Sequence, residues 1–217
     1  HGPISDAIGR KKVLLAGIVL FTLSSIGAAL AGDMTTMLVY RALQGLSAGV
    51  GLIVGRAVVR DCREGDDAQR LMSQISMIFG IAPAIAPVIG GILLGWSDWH
   101  GIFWFLAAFG LVLFALTAWG LPETHPPENR VPLHAVTLAR DYGGMLATRK
   151  FRLLALLGTA NFGALFLYIA SAPAFVIDLL GLGEQDFVWF FAPTIGGMML
   201  GAFVSGRAAG RIRRPSA

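Results

Sequence analysis

The sequence predicts an all-α integral membrane protein with six transmembrane helices, and three observations carry that prediction. Composition is the first. Hydrophobic residues make up 55% of the chain and charged residues only 14%, with a mean hydropathy of +0.69. A soluble domain carries about 25% charged residues and needs that polar surface to cover itself. The second observation is the length of the uncharged runs, and the third is the way lysine and arginine are distributed between them.

A helix needs about 20 apolar residues to cross a hydrocarbon core of ~30 Å. Uncharged runs cover 13–32, 71–97, 99–122, 153–177 and 187–206, with lengths of 20, 27, 24, 25 and 20 residues. A sixth run lies between Asp33 and Arg56 and is interrupted only by Arg41. The 14 residues between Arg41 and Arg56 reach only about 21 Å as a helix. That helix must therefore begin before Arg41, which places Arg41 inside the membrane. Backbone groups in lipid have to be satisfied within their own segment, so helices are the natural form for all six runs.

Charge sets the orientation. Arg10, Lys11 and Lys12 precede the first run. Arg56, Arg60, Arg63 and Arg70 separate the second from the third. Arg130, Arg140, Arg149, Lys150 and Arg152 separate the fourth from the fifth, and Arg207, Arg211, Arg213 and Arg214 follow the sixth. These are 16 of the 17 basic residues, and the seventeenth is Arg41. The connections around Asp33, Asp98 and Asp178–Asp186 hold no lysine or arginine. By the positive-inside rule the basic set is cytoplasmic. Trp96, Trp99 and Trp189 then fall at the outer edge, where an aromatic belt belongs. The polar, proline-containing stretch 122–152 reads as a cytoplasmic linker. It separates a first bundle of four helices, 1–121, from the start of a second bundle, 153–217, with two. Within it, Leu133, Val136, Leu138 and Met145 suit a short helix on the membrane surface.

The net charge of +4 and pI near 9.7 do not indicate a nucleic-acid partner, because the cations are parcelled between apolar runs and form no stripe. The single cysteine, Cys62, excludes an internal disulfide framework. An intramembrane enzyme or metal site would need His, Cys, Asp or Glu clustered at membrane depth. Here His1, His100, His125 and His134 fall in loops or at helix termini, and all 13 acidic residues lie outside the runs. No enzyme activity, cofactor or metal is expected.

Four motifs stand out. In Gly2-Pro3-Ile4-Ser5-Asp6-Ala7-Ile8-Gly9-Arg10-Lys11, glycines permit a tight turn and close helix approach, and the aspartate can pair with a nearby cation. A plain positive-inside loop is the alternative. In the second run, Tyr40-Arg41-Ala42-Leu43-Gln44-Gly45 puts an arginine at membrane depth, which needs a cavity or a partner. Arg41, Gln44, Ala48, Gly51 and Gly55 recur at steps of three and four, forming one small and polar helical face. Snorkelling of Arg41 to the outer edge is the alternative. In the third run, Gly80, Pro83, Pro87, Gly90 and Gly91 combine two prolines that each remove a helical hydrogen bond with small residues that admit a neighbouring helix. A kinked packing helix with no further role has the same sequence. Arg56, Arg60 and Asp61 mark the basic end of the second helix. In the fifth run Asn161 and Tyr168, seven apart, share a face. They suit either a drug cavity or a helix–helix hydrogen bond.

Together these motifs resemble the major facilitator superfamily. The first matches its G-x-x-x-D-R-x-G-R-R/K loop at Gly2, Asp6, Gly9, Arg10 and Lys11, while Ala7 stands where a basic residue is usual. Arg41-x-x-Gln44-Gly45 matches the fourth-helix motif. The Ala82-Pro83 to Gly90-Gly91 stretch is similar to the fifth-helix motif of proton-driven antiporters in the bicyclomycin and chloramphenicol resistance branch, which Arg56-Ala57-Val58-Val59-Arg60-Asp61 also resembles. The resemblance implies that the six spans are the family's third to eighth helices, in a chain lacking two helices before them and four after. It implies a gating role for the cytoplasmic loop and proton coupling for Arg41. The expected function is a secondary active transporter, a multi-pass protein of the cell inner membrane, monomeric at full length. It would export small apolar or amphipathic compounds in exchange for protons, through the lipid bilayer that surrounds it. A carrier for a metabolite or sugar is one alternative, although few polar residues line the runs; a membrane protein without transport is another, for which the motifs would have no use. The proton-carrying carboxylate lies outside this chain.

The charge asymmetry predicts that Cys62, among Arg60, Arg63 and Arg70, faces the cytoplasm. A membrane-impermeant maleimide should label it in inverted vesicles and leave it untouched in intact cells. Equal labelling of both preparations would reverse the assigned orientation.

Overall fold

A computed structural model describes residues 1–183, 189–194, 196–197 and 200–201, and only the backbone at positions 80, 81, 83, 84, 87, 88, 135 and 173. Helices α1 (Gly2–Ile8), α2 (Arg10–Ala29), α3 (Met34–Cys62), α4 (Gly65–Trp96), α5 (Trp99–Gly120), α6 (Ala135–Ala147) and α7 (Arg149–Pro173) follow in order, with a 3-10 turn at Pro127–Asn129 and a π-helical turn at Ala174–Leu179. No strand occurs among the described residues. Among the described residues four helices, Arg10–Ala29, Met34–Cys62, Trp99–Gly120 and Arg149–Ala172, are long and apolar enough to cross a membrane. Helix α4 has 32 residues, about 48 Å at the helical rise. It outruns a ~30 Å core, which accommodates Asp66, Asp67 and Arg70 in its first turns. It continues through Pro83 and Pro87 without a break. Of the predicted sixth run, 187–206, residues 189–194, 196–197 and 200–201 are described, and all are helical.

Polar residues set the helix starts. Asp33 caps α3, accepting from the Thr36 amide at 2.9 Å and the Thr36 hydroxyl at 2.6 Å. Asp98 caps α5 through the His100 amide at 3.0 Å. The Thr36 hydroxyl and amide hold the Asp33 carboxyl below its usual range. His100 does the same to Asp98, chiefly through its side-chain hydrogen bond. Both caps are fully charged above the ordinary carboxylate range, and their contribution is lost only as pH falls through the depressed values.

The chain divides into two compact units, one of residues 1–74 with 93–144 and the other of 75–92 with 145–217. In the first, α2 is the central helix, packed on α3 and α5. Lipid supplies no hydrophobic drive between helices, so close van der Waals contact through small residues replaces it. Gly17 lies where an added Cβ would come 2.9 Å from Val50 Cβ. Gly27 lies under the Tyr40 ring, and Gly110 of α5 faces the Thr22 hydroxyl, with no space for a side chain at either glycine. Two core clusters result. Val13, Val50 and Val54 form one; Ala28, Ala29 and Phe103 form the other, flanked by Tyr40.

In the second unit, α7 is largely exposed and turns at its end through the π-helical segment, where Ala172 and Val176 are buried. Tyr168 stacks on Phe190 at 4.5 Å between ring centroids and donates its hydroxyl to the Phe190 carbonyl at 2.5 Å.

Close packing at Gly17 yields a prediction. Gly17→Leu should destabilise the chain by about 1–3 kcal/mol through overpacking against Val50, read as a lower thermal midpoint in detergent. Gly158→Leu, at a position bordering open space, should leave the midpoint unchanged. Equal midpoints for the two variants would show that the α2–α3 approach is not tight.

Candidate functional site

The motif at 2–11 folds as two helices meeting at Gly9. Gly9 has φ 106°, a region L side chains rarely adopt. It is also crowded: an added Cβ would lie 2.5 Å from Glu123 Oε2 and 3.1 Å from Arg130 Nη2. The next residue, Arg10, is 7% exposed. A guanidinium so buried requires compensation, and it finds it in Ser5, Asp6 and Asp61. Its Nη1 donates to Asp6 Oδ1 and, at 2.5 Å, to Ser5 Oγ. Its Nε donates to Asp61 Oδ2 at 2.9 Å. Its backbone amide, one of the unpaired donors at the start of α2, donates to Glu123 Oε1 at 2.8 Å.

This hub joins three separate stretches of sequence. Asp61 comes from the basic end of α3, and Glu123 from the segment after α5. That segment is further fastened by the Val131 amide to Asp6 O at 3.2 Å and by Thr124 Oγ1 to Asp61 Oδ2 at 3.4 Å. Lys11 Nζ donates to Ala118 O at 2.8 Å, at the carbonyl-rich, dipole-negative end of α5. Beside the hub lies a cleft of about 410 Å³ lined by Gly2, Asp6, Arg10, Leu52, Ile53, Arg56, Ala57 and Arg60. The loop residues Gly2, Asp6, Gly9, Arg10 and Lys11 and the helix-end residues Arg56, Arg60 and Asp61 are thus brought together at one end of the unit.

The second candidate group lies along α3. Arg41 Nη1 donates to Gln44 Oε1 at 2.7 Å, Gln44 Nε2 donates to Ser25 Oγ at 2.7 Å, and Ser25 Oγ donates to Phe21 O at 2.8 Å. The Arg41 guanidinium sits 5.9 Å from the Phe103 ring centroid, within cation–π range. The predicted single face is divided. Gln44, Ser47, Val50 and Val54 are buried, whereas Arg41, Ala48 and Gly51 are exposed and Gly55 is half-buried. The reason is angular: residues three apart differ by about 60° around a helix, so Gln44 sits at the edge of the α2-facing side while Arg41 points away from it. Tyr40 fills the space over Gly27 and joins the apolar cluster.

The remaining predicted residues are dispersed. Gly90 and Gly91 border open space, and Gly80, Pro83 and Pro87 are described in their backbone alone. Asn161 is exposed, while Tyr168 is engaged with Phe190, so the two do not converge. The glycine-arginine pattern at 206–211 lies outside the described residues. Sequence reasoning missed Ser5, Ser25 and Glu123. Glu123 had a signal, being the first charge after the 99–122 run and on the same side as Arg10. Ser25 had one in the Ser24-Ser25 pair within an otherwise apolar run.

A membrane-spanning helical bundle with a charged hub at its basic end and an arginine along one helix defines a polytopic membrane protein of the facilitator type. The Major Facilitator Superfamily profile matches residues 1–217, and the chain belongs to that family. It is 38% identical over 217 residues to the uncharacterized MFS-type transporter YdgK of Bacillus subtilis, covering 99% of this chain and 54% of that protein. It is 30% identical over 208 residues to the bicyclomycin resistance protein homolog of Haemophilus influenzae, covering 95% of this chain and 52% of that protein. It is 31% identical over 199 residues to the multidrug resistance protein MdtM of Escherichia coli O157:H7, covering 92% of this chain and 48% of that protein. The chain thus spans about half the length of the curated relatives it matches.

If the hub is a coupled unit, its members will not act additively. Arg10→Ala alone and Asp61→Ala alone should each lower stability by about 3 kcal/mol, because each leaves a charge without its partner. The double variant should be less damaging than the sum by about 1–3 kcal/mol. Strict additivity in a double-mutant cycle of thermal stability would dissolve the pair.

Proposed function

We propose that the chain is part of a proton-coupled exporter of small apolar or amphipathic compounds in the cell inner membrane, working by alternating access. The observation that carries this reading is Arg41. It lies about 10 Å into a helix that crosses the bilayer, is oriented by Gln44, and makes no ion pair among the described residues. A fixed cation at that depth favours the charged form of any carboxylate brought beside it and holds down its pKa until the two separate. Separation then permits proton uptake, which is the exchange that coupling requires. The names of two relatives, a bicyclomycin resistance protein homolog and a multidrug resistance protein, support drug-like cargo.

The charged hub fits the same cycle as a latch. Arg10, Asp6, Asp61 and Glu123 tie the basic ends of α2 and α3 to the segment after α5, where a change of state would make or break several charged hydrogen bonds at once. Such bonds favour discrete states over gradual deformation.

The test uses the protein expressed from its intact gene in a drug-sensitive host. Resistance to bicyclomycin and proton-dependent efflux of ethidium are expected, and loss of both would reject the exporter. Arg41→Ala should abolish coupled efflux while the protein remains in the membrane. Arg41→Lys should restore it in part, since lysine keeps the charge and loses the planar fork of donors. Arg41→Gln should fail like alanine. Wild-type resistance in a well-expressed Arg41→Ala variant would make Arg41 a snorkelling residue.

A further inference from the structure

We propose that Ser25 of α2 is a positioning residue for Arg41, acting through Gln44 to hold the guanidinium in the orientation that proton coupling uses. This rests on the coupling role proposed above for Arg41. The argument is one of polarity along a chain of hydrogen bonds. A glutamine amide has an accepting and a donating end, and nothing in its shape chooses between the two orientations. Here the choice is forced from both sides. Arg41 is donor only, so its 2.7 Å contact claims Gln44 Oε1. Ser25 spends its proton on Phe21 O at 2.8 Å, which leaves a lone pair for Gln44 Nε2 at 2.7 Å.

Burial makes this chain consequential. Ser25 is 0% and Gln44 4% exposed, so neither has water as an alternative partner. Without the Ser25 hydroxyl, Gln44 Nε2 would be left buried and unpaired, and nothing would hold the amide against turning. The turn would present a donor where Arg41 needs an acceptor and release the guanidinium. Arg41 itself is exposed, and among the described residues the Phe103 ring of α5 and Gln44 hold it. Its direction is therefore set by residues on α2, α3 and α5 together, although the arginine and its motif lie on α3 alone.

A rival role exists for the same bond, in which Ser25 and Gln44 simply staple α2 to α3. A staple would change the amount of protein or its thermal midpoint and leave the chemistry of each surviving molecule alone. The two roles separate in ethidium efflux from preloaded right-side-out vesicles, driven by an imposed proton gradient at a series of pH values and normalised to protein amount. Ser25→Ala should slow efflux per molecule about tenfold, the order expected for one misdirected hydrogen bond. It should also shift the pH profile by about half a unit, a threefold change in proton affinity. Ser25→Thr, which keeps the hydroxyl, should restore both. Gln44→Leu should reproduce Ser25→Ala, and the double variant should be no worse than either single one. An unchanged rate and pH profile per molecule for Ser25→Ala, alongside loss of efflux in Arg41→Ala, would overturn the positioning role and leave Arg41's role intact. Wild-type coupled efflux in Arg41→Ala would instead remove the reading on which it rests.

Discussion

A buried guanidinium at the mouth of α2 is the constraint around which the first unit is arranged. Arg10 carries a charge that neither lipid nor a dry helix interface tolerates unpaired. Its compensation comes from α1, from the end of α3 and, through its amide, from the segment after α5. That requirement fixes the register of α3 against α2 and holds residues 123–131 against the α1–α2 turn. It also explains Gly9. The chain must reverse direction immediately before Arg10, in left-handed backbone, with Glu123 pressed where a side chain would otherwise project.

Deeper in the bundle the logic changes from charge to volume. Between α2, α3 and α5 most of the buried contact residues are glycine, alanine, serine and valine, with Tyr40 and Phe103 supplying bulk at one cluster. With no hydrophobic drive between lipid-soluble surfaces, small residues let the backbones approach and gain dispersion energy. The polar chain from Arg41 to Phe21 O crosses this interface at one place. It gives the α2–α3 contact a direction that close packing of small residues does not provide.

These two features occupy different parts of α3, a single continuous helix of 29 residues. Asp61 near one end takes part in the hub, and Arg41 near the other takes part in the polar chain. A rigid helix is the simplest mechanical link between groups about 30 Å apart along its axis. The hub and the polar chain are thus joined by one continuous helix.

The sequence by itself determined the membrane class, the helical form of the apolar runs and the family, because each is written in one dimension. A span is a run long enough to cross hydrocarbon. Sidedness is a count of lysine and arginine in the connections, and motifs such as Arg41-x-x-Gln44-Gly45 are local spacings. The necessity that α3 begin before Arg41 followed from length alone, and it begins at Met34. The partners of those motifs were decided only by the tertiary structure. Asp61 and Glu123 are 51 and 113 residues from Arg10, and Ser25 is 19 residues from Gln44, separations that no periodicity encodes. The division of the α3 face was hidden for a related reason. Helical spacing gives angles around one axis, and only the place where α2 presses against that axis determines that Gln44 is buried while Arg41 is not.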